Sequence, residues 1–354
     1  MPNIRLNKMV RIATVLLVVT SFATAQGPRN GTVAGSHLLV PQGARYLSGG
    51  GATATAVGVE AIYWNPAGLA RAESNIDVLM ARRSFIADIN ISYVAAAMKL
   101  GSLGSLGLTA RTFNIGEIAT TTVFAPDGTG EKFTPTVFVL GVTFARLMSD
   151  RTSVGMGINF INEGFAGVNA SGVSLDAGVQ YSSFLDVPGL TIGVALRNFG
   201  APMRYDGSAL WIDAPIAGSN RGTEWYKVTA AAFDMPFNMD IAASYSMDLG
   251  PGSMNLGFTF ENNNAAQDEF RLLAEYSFGD LGTVRFGNLM SAGITDDENT
   301  SIDESAIENI FGTTSFGATL NLSRFTGVNL SIDYAYFTTK YFDANQVFAL
   351  RFGL

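Results

Sequence analysis

The chain has 354 residues, 47% hydrophobic and only 15% charged, with 39 Gly, 25 Phe, one His and no Cys. Zero Cys excludes disulfides, thiolate catalysis and Cys-type zinc or iron–sulfur sites, and one His leaves little for a His-based metal centre or hydrolase. A formal charge of −8 argues against nucleic acid, whose binders need a basic face to replace counterions, and the apolar content excludes disorder.

Residues 1–25 read as an export signal. Arg5, Lys8 and Arg11 give a positive start, Ile12 to Thr20 a short apolar run, and Ala23-Thr24-Ala25 a small-x-small cleavage site. The run falls short of the roughly 20 residues that span a bilayer. Cleavage before Gln26 removes three cations and no acid, leaving 19 against 30, a mature charge of −11. An exported protein is a poor candidate for ATP- or NAD-dependent chemistry.

Residues 26–74 precede the first strand and are rich in small residues, as in Ser48 to Val57, which suits close packing against other backbone. The Gly run lacks the G-x-G-x-x-G spacing and preceding strand of a nucleotide loop. Further on, Asn65 is a good N-cap and Pro66 fits a first helical position, so Pro66 to Arg71 is expected as a short helix anchored by Tyr63 and Trp64. His37, the only imidazole, lies in this segment. With no G-x-S-x-G either, no enzyme is expected.

From Asn75 onward the dominant period is two. Val173, Leu175, Ala177, Val179 and Tyr181 alternate with Ser174, Asp176, Gly178 and Gln180; Val328 to Tyr336 and Met254 to Glu261 behave alike. Strands are expected near 76–82, 88–100, 104–114, 135–146, 152–162, 171–183, 190–199, 239–248, 252–262, 270–278, 282–290, 314–322, 328–337 and 346–354, with Tyr226 to Phe233 read as a further strand that pairs above the membrane. Connections after even-numbered strands are short. Those after odd-numbered strands include three long ones, 115–134, 200–238 and 291–313, the asymmetry of an outer-membrane barrel with tight periplasmic turns and longer external loops. Arg111, Asp176, Arg197, Asp240, Arg271, Glu275, Arg285, Asp333 and Arg351 share a face with Gly and Ser, as expected if that face lines a lumen. The chain closes on an amphipathic strand carrying Phe348, Leu350, Phe352 and Leu354. The expected fold class is therefore all-β: a transmembrane antiparallel up-and-down barrel of about 14 strands over residues 75–354. Such a barrel is roughly 28 Å across, wider than its own side chains fill, so residues 26–74 are expected as an internal hatch.

Two loops stand out. Thr295 to Glu304 is acidic but lacks the Gly and bidentate Glu of a calcium loop, and reads as solvated, with weak divalent binding the alternative. The loop from Gly200 to Asn238 holds Trp211, Ile212, Pro215, Ile216, Trp225, Tyr226, Phe233, Met235 and Phe237, a large apolar surface. Three fates remain open: folding over the barrel mouth, binding a partner protein, or capturing a hydrophobic small molecule.

Gly43-Ala-Arg-Tyr-Leu-Ser-Gly-Gly-Gly-Ala, followed by Ala61-Ile-Tyr-Trp-Asn-Pro-Ala-Gly-Leu-Ala, resembles the N-terminal signature of the PorV/PorQ family, within the FadL-like group of outer-membrane barrels. The resemblance implies a 14-stranded barrel with Asn65, Pro66, Ala67 and Gly68 in its hatch. It also implies a role in type IX secretion, accepting exported proteins and passing them to surface attachment. Tyr46-Leu-Ser48 departs from the small residues and Met that relatives often carry, and residues 203–235 look long. The reading is thus a non-catalytic binding and shuttle component for exported proteins, with both termini periplasmic. It takes no cofactor and no metal, and its partners are outer-membrane lipid and secretion components or cargo. The alternative is a FadL-like passive channel for hydrophobic small molecules, and a third class is a structural barrel that anchors a surface layer or complex.

Overall fold

The computed structural model describes residues 32–49, 54–215, 218, 222–291, 311–339 and 342–354. The expected signal segment, the acidic run 295–304 and Ile216 lie outside the described residues.

Fourteen strands form one closed antiparallel sheet: β1 Ile76–Ser84, β2 Asn90–Lys99, β3 Ser105–Asn114, β4 Thr136–Leu147, β5 Thr152–Phe165, β6 Val168–Ser182, β7 Leu190–Gly200, β8 Asn238–Leu249, β9 Gly252–Asn263, β10 Glu269–Ser277, β11 Gly282–Ser291, β12 Phe311–Asn321, β13 Asn329–Thr339 and β14 Asn345–Gly353. Each strand pairs with its neighbours in sequence. The circle closes where β1 pairs with β14, from Asp77 opposite Gly353 to Ser84 opposite Gln346. Closure leaves no sheet edge to satisfy, which a spanning sheet requires where no water is present.

The period-two sequence sorts the two faces. On β4, Val139, Thr143 and Ala145 point inward and are buried, while Leu140 and Val142 point outward at 50% and 51% exposure. Met80, Val94, Leu108, Ile158, Val179, Leu256, Phe286, Phe316 and Leu350 continue this outer belt around the barrel. Burying each such side chain is worth about 1.5–3 kcal/mol, so a belt of them is stable only against lipid. The charged residues expected to face the lumen do so: Arg111, Asp176, Arg197, Asp240, Arg271, Arg285 and Asp333 are all buried. Among the described residues no helix is long and apolar enough to cross a membrane. The crossing is made by strands.

The six connections Leu100–Gly104, 148–151, 183–189, 250–251, 278–281 and 322–328 are short, and they share one end of the barrel with Asn75 and Leu354. The long connections leave from the other end. The structure differs from the sequence reading at two places. First, β5 and β6 run on to Phe165 and Val168, where the sequence ends them at 162 and restarts at 171. Ala166 and Gly167 take left-handed backbone (φ 46° and 81°), which makes a two-residue hairpin and keeps the ladder paired to its tip. Second, Tyr226 to Phe233 is not one strand. Thr223–Lys227 pairs with Trp211–Pro215, and Ala232–Phe233 with Met203–Arg204, because most of the loop folds back on itself, while Asp206–Gly207 adds a short rung to the barrel sheet beside Val168 and Asn169 of β6.

Candidate functional site

Residues 32–49 and 54–74 pack inside the wall. The turn Leu47–Gly49 lies against β10 to β13, whereas the 3₁₀ turn Pro66–Arg71 lies against β3 to β6. These strand groups are about half a circumference apart, so the segment crosses the lumen. Between them Val59, Trp64 and Leu69 are fully buried.

Asn65 is the joint that holds this crossing. Its extended backbone precedes the 3₁₀ turn, and its Oδ1 accepts from Ala67 N at 3.0 Å, the capping bond that its sequence position predicts. Its Nδ2 donates to Ala54 O at 2.5 Å, and lies 3.3 Å from both Val179 O on β6 and Val194 O on β7. One side chain thus caps a turn, ties two parts of the segment and touches two wall strands. The wall permits this because Gly178 and Gly193 stand there. A methyl at Gly178 would overlap Asn65, and one at Gly193 would overlap the Ala54 carbonyl. Gln180 reinforces the contact, donating to Ala54 O at 3.1 Å and Ala56 O at 2.7 Å. Pro66, Ala67 and Gly68 are buried in the turn that follows.

Around the segment the lumen is polar, and several of its charges are paired. Arg197 bridges Asp240 at 2.8 Å and Glu261 at 3.4 Å, Arg271 meets Glu261 at 2.9 Å, and Arg285 meets Glu275 at 2.5 Å. Arg351 chelates Asp77 across the closing seam, with Nε 2.8 Å from Oδ1. The guanidinium of Arg197 lies 5.2 Å from the Tyr63 ring centroid and 5.7 Å from that of Trp64, and Arg111 lies 5.6 Å from Tyr63. The aromatic pair expected to anchor the segment therefore meets cations as well as aliphatic groups.

Glu60 has a carboxylate enclosed by the segment itself, accepting from Arg45 N at 3.4 Å and Tyr46 N at 3.3 Å. Burial, with the nearby Asp333 carboxylate adding to it, pushes this group up to about 7. At the long-loop end, His37 Nδ1 lies 2.7 Å from Glu163 Oε1, and the Tyr205 hydroxyl donates to Glu163 Oε2 at 2.5 Å. That contact joins the segment, β5 and the external loop. Burial lowers the His37 imidazole despite the carboxylate beside it. Sequence reasoning did not find Glu60. Its signal was available, because Glu60 is the one charged residue between Tyr46 and Leu69.

The external loop divides in two. Met203 and Met235 are buried with Ala34, Leu38, Val139, Ile161 and Ala170, plugging the mouth. The hairpin beyond them is exposed: Trp211 and Ile212 each at 47%, Trp225 at 68% and Tyr226 at 40%, with Phe233 exposed beside it. Of the nine apolar loop residues named from the sequence, Met235 packs inward, Phe237 is half-buried, Ile216 lies outside the described residues, and Trp211, Ile212, Pro215, Trp225, Tyr226 and Phe233 stand at the surface. Deeper in the lumen a cavity of about 30 Å³ is bounded by Ile62, Tyr63, Tyr93, Arg111, Asp176 and Arg197. It has room for a water or two.

No family model and no curated protein matches the sequence. Solved structures do. The CymD monoaromatic hydrocarbon channel is similar at 12% identity and a TM-score of 0.53, over 89% of this chain and 98% of that one. A Pseudomonas aeruginosa FadL homologue aligns at 12% identity and TM-score 0.49, over 82% and 93% of the two chains. The Pseudomonas putida toluene transporter TodX aligns at 9% and 0.45, over 82% and 91%. CymD is a monoaromatic hydrocarbon channel and TodX a toluene transporter. At such identity the likeness is one of fold, that of an outer-membrane β-barrel, and of nothing finer.

Proposed function

We propose that this protein is an outer-membrane channel for hydrophobic small molecules, with residues 26–74 as its hatch. The observation that carries the reading is the barrel fold shared with the CymD channel over nearly all of both chains, with a segment crossing the lumen. In the resting state the cavity beside Tyr63 is about 30 Å³. A cavity that takes benzene is of the order of 150 Å³, so an aromatic solute passes only when the segment shifts. The exposed Trp211, Ile212, Trp225, Tyr226 and Phe233 supply the first apolar contact, and Asn65, Pro66, Ala67 and Gly68 hold the gate. Vesicles with a lipopolysaccharide outer leaflet test this directly. Labelled toluene should enter several-fold faster with the protein than without it, and equal rates would overturn the reading.

A second reading, a binding and shuttle component for exported proteins, is supported by the resemblance of the Asn65-Pro66-Ala67 segment to PorV/PorQ sequences and by the free aromatic hairpin. The fold shared with the CymD channel favours the first reading over it. Cross-linking from Trp225-adjacent positions in intact outer membranes distinguishes them, since recovery of exported cargo or secretion components would support the second.

A further inference from the structure

At the short-turn end, a cavity of about 450 Å³ opens between the end of the N-terminal segment, the β2–β3 turn and the end of β4. That volume falls within the roughly 300–1,000 Å³ of small-molecule sites. Its charged lining is wholly cationic: Arg71, Lys99 and Arg146, with Ser102, Ser105 and Leu147 beside them. In a chain of net charge −8 this convergence runs against the average. Arg71 spends its bonds on Arg151 O at 2.7 Å and Ser153 Oγ at 3.2 Å, and Lys99 on Glu73 O at 2.7 Å. These acceptors are neutral. Among the described residues none of the three cations is paired with a carboxylate, while neighbouring Arg151 takes Asp186 at 2.6 Å. Burial lowers the Arg71 guanidinium, as it does a cation with no anion opposite.

We infer that this mouth is an oxyanion site, taking the carboxylate or phosphate of a small amphiphile whose short apolar part lies against Ala70, Ala72 and Leu147. A bound oxyanion would supply the counter-charge that three converging cations lack, and charge-assisted hydrogen bonds from two guanidiniums and an ammonium suit its geometry. The inference does not depend on the channel reading, because equilibrium binding and flux are measured separately. Loss of flux with binding intact would overturn only the channel.

The test uses the full chain in micelles, following the Arg71 Nε–Hε resonance by NMR while butyrate, inorganic phosphate or butanol is added. Butyrate is expected to give saturable shifts that butanol does not, and doubling the ionic strength should weaken them. The Lys99→Gln/Arg146→Gln double variant should bind about tenfold more weakly, with the unboiled, fast-migrating gel band confirming an intact barrel. Arg71→Gln, read by calorimetry, gives an independent second variant. Saturation by phosphate but not butyrate would support the site and assign it a phosphate headgroup. Equal responses to butyrate and butanol, or undiminished binding by both variants, would overturn it.

Discussion

Replacing Asn65 with alanine should release the segment that crosses the lumen while leaving the barrel intact. The substitution removes the Ala67 cap, worth about 1 kcal/mol. It also removes the Nδ2 bond to Ala54 O and the longer contacts to Val179 O and Val194 O. Net hydrogen bonds of this kind contribute about 0.5–1.5 kcal/mol each. Ala54 O keeps Gln180 as a donor, and the two wall carbonyls keep their strand partners, so the full desolvation penalty does not fall on them. The sum is about 2–4 kcal/mol, or roughly 30- to 1,000-fold in the opening equilibrium of the segment. Hydrogen exchange at the amides of residues 54–72 reads that equilibrium directly, since local opening governs exchange there. Exchange in β1 to β14 should be unchanged, and the fast-migrating band retained. If the amides of residues 54–72 exchange at the wild-type rate, Asn65 does not hold the segment and the gate assigned to it is wrong.

Three further outcomes follow from the same structure. Val142→Arg places a cation in the outward belt and should cost about 2–4 kcal/mol near mid-membrane, seen as a lower urea midpoint in refolding into liposomes; an unchanged midpoint would mean lipid does not cover that face. Glu60 is held at about 7, above its ordinary value near 4.5, so between these pH values the folded state keeps a proton that the unfolded state has released. Stability should therefore fall as pH rises from about 4.5 to 7 through this group. Glu60→Gln should flatten the pH dependence of thermal unfolding, and identical slopes in variant and wild type would refute the assignment. Exchanging both Trp211 and Trp225 for serine should slow uptake of a hydrophobic solute several-fold without changing thermal stability, because both side chains are largely free of the barrel.

Much of this molecule is written in its period-two alternation. Each of the fourteen strands can be placed from residues such as Leu140-Gly-Val-Thr-Phe144, because a side chain's face is fixed by counting along the strand. The pattern also sorts charges such as Arg111 and Asp240 to one side, and the contrast of short and long connections shows which end carries the loops. The Asn65-Pro66 pair announces its own turn, since a cap is a local interaction within three residues. What alternation cannot supply is the partner across empty space. Arg197 reaches Asp240, Glu261 and the ring of Tyr63 only because the sheet closes into a cylinder and residues 54–64 are threaded through it. Glu60 is buried among Arg45, Tyr46 and Asp333 for the same reason. The hairpin of Trp211–Pro215 and Thr223–Lys227 depends on a loop turning back on itself, a choice made by packing Met203 and Met235 into the mouth. Local periodicity thus determined the wall, and chain closure decided what the wall encloses, because contacts between residues far apart in sequence exist only after the cylinder has formed.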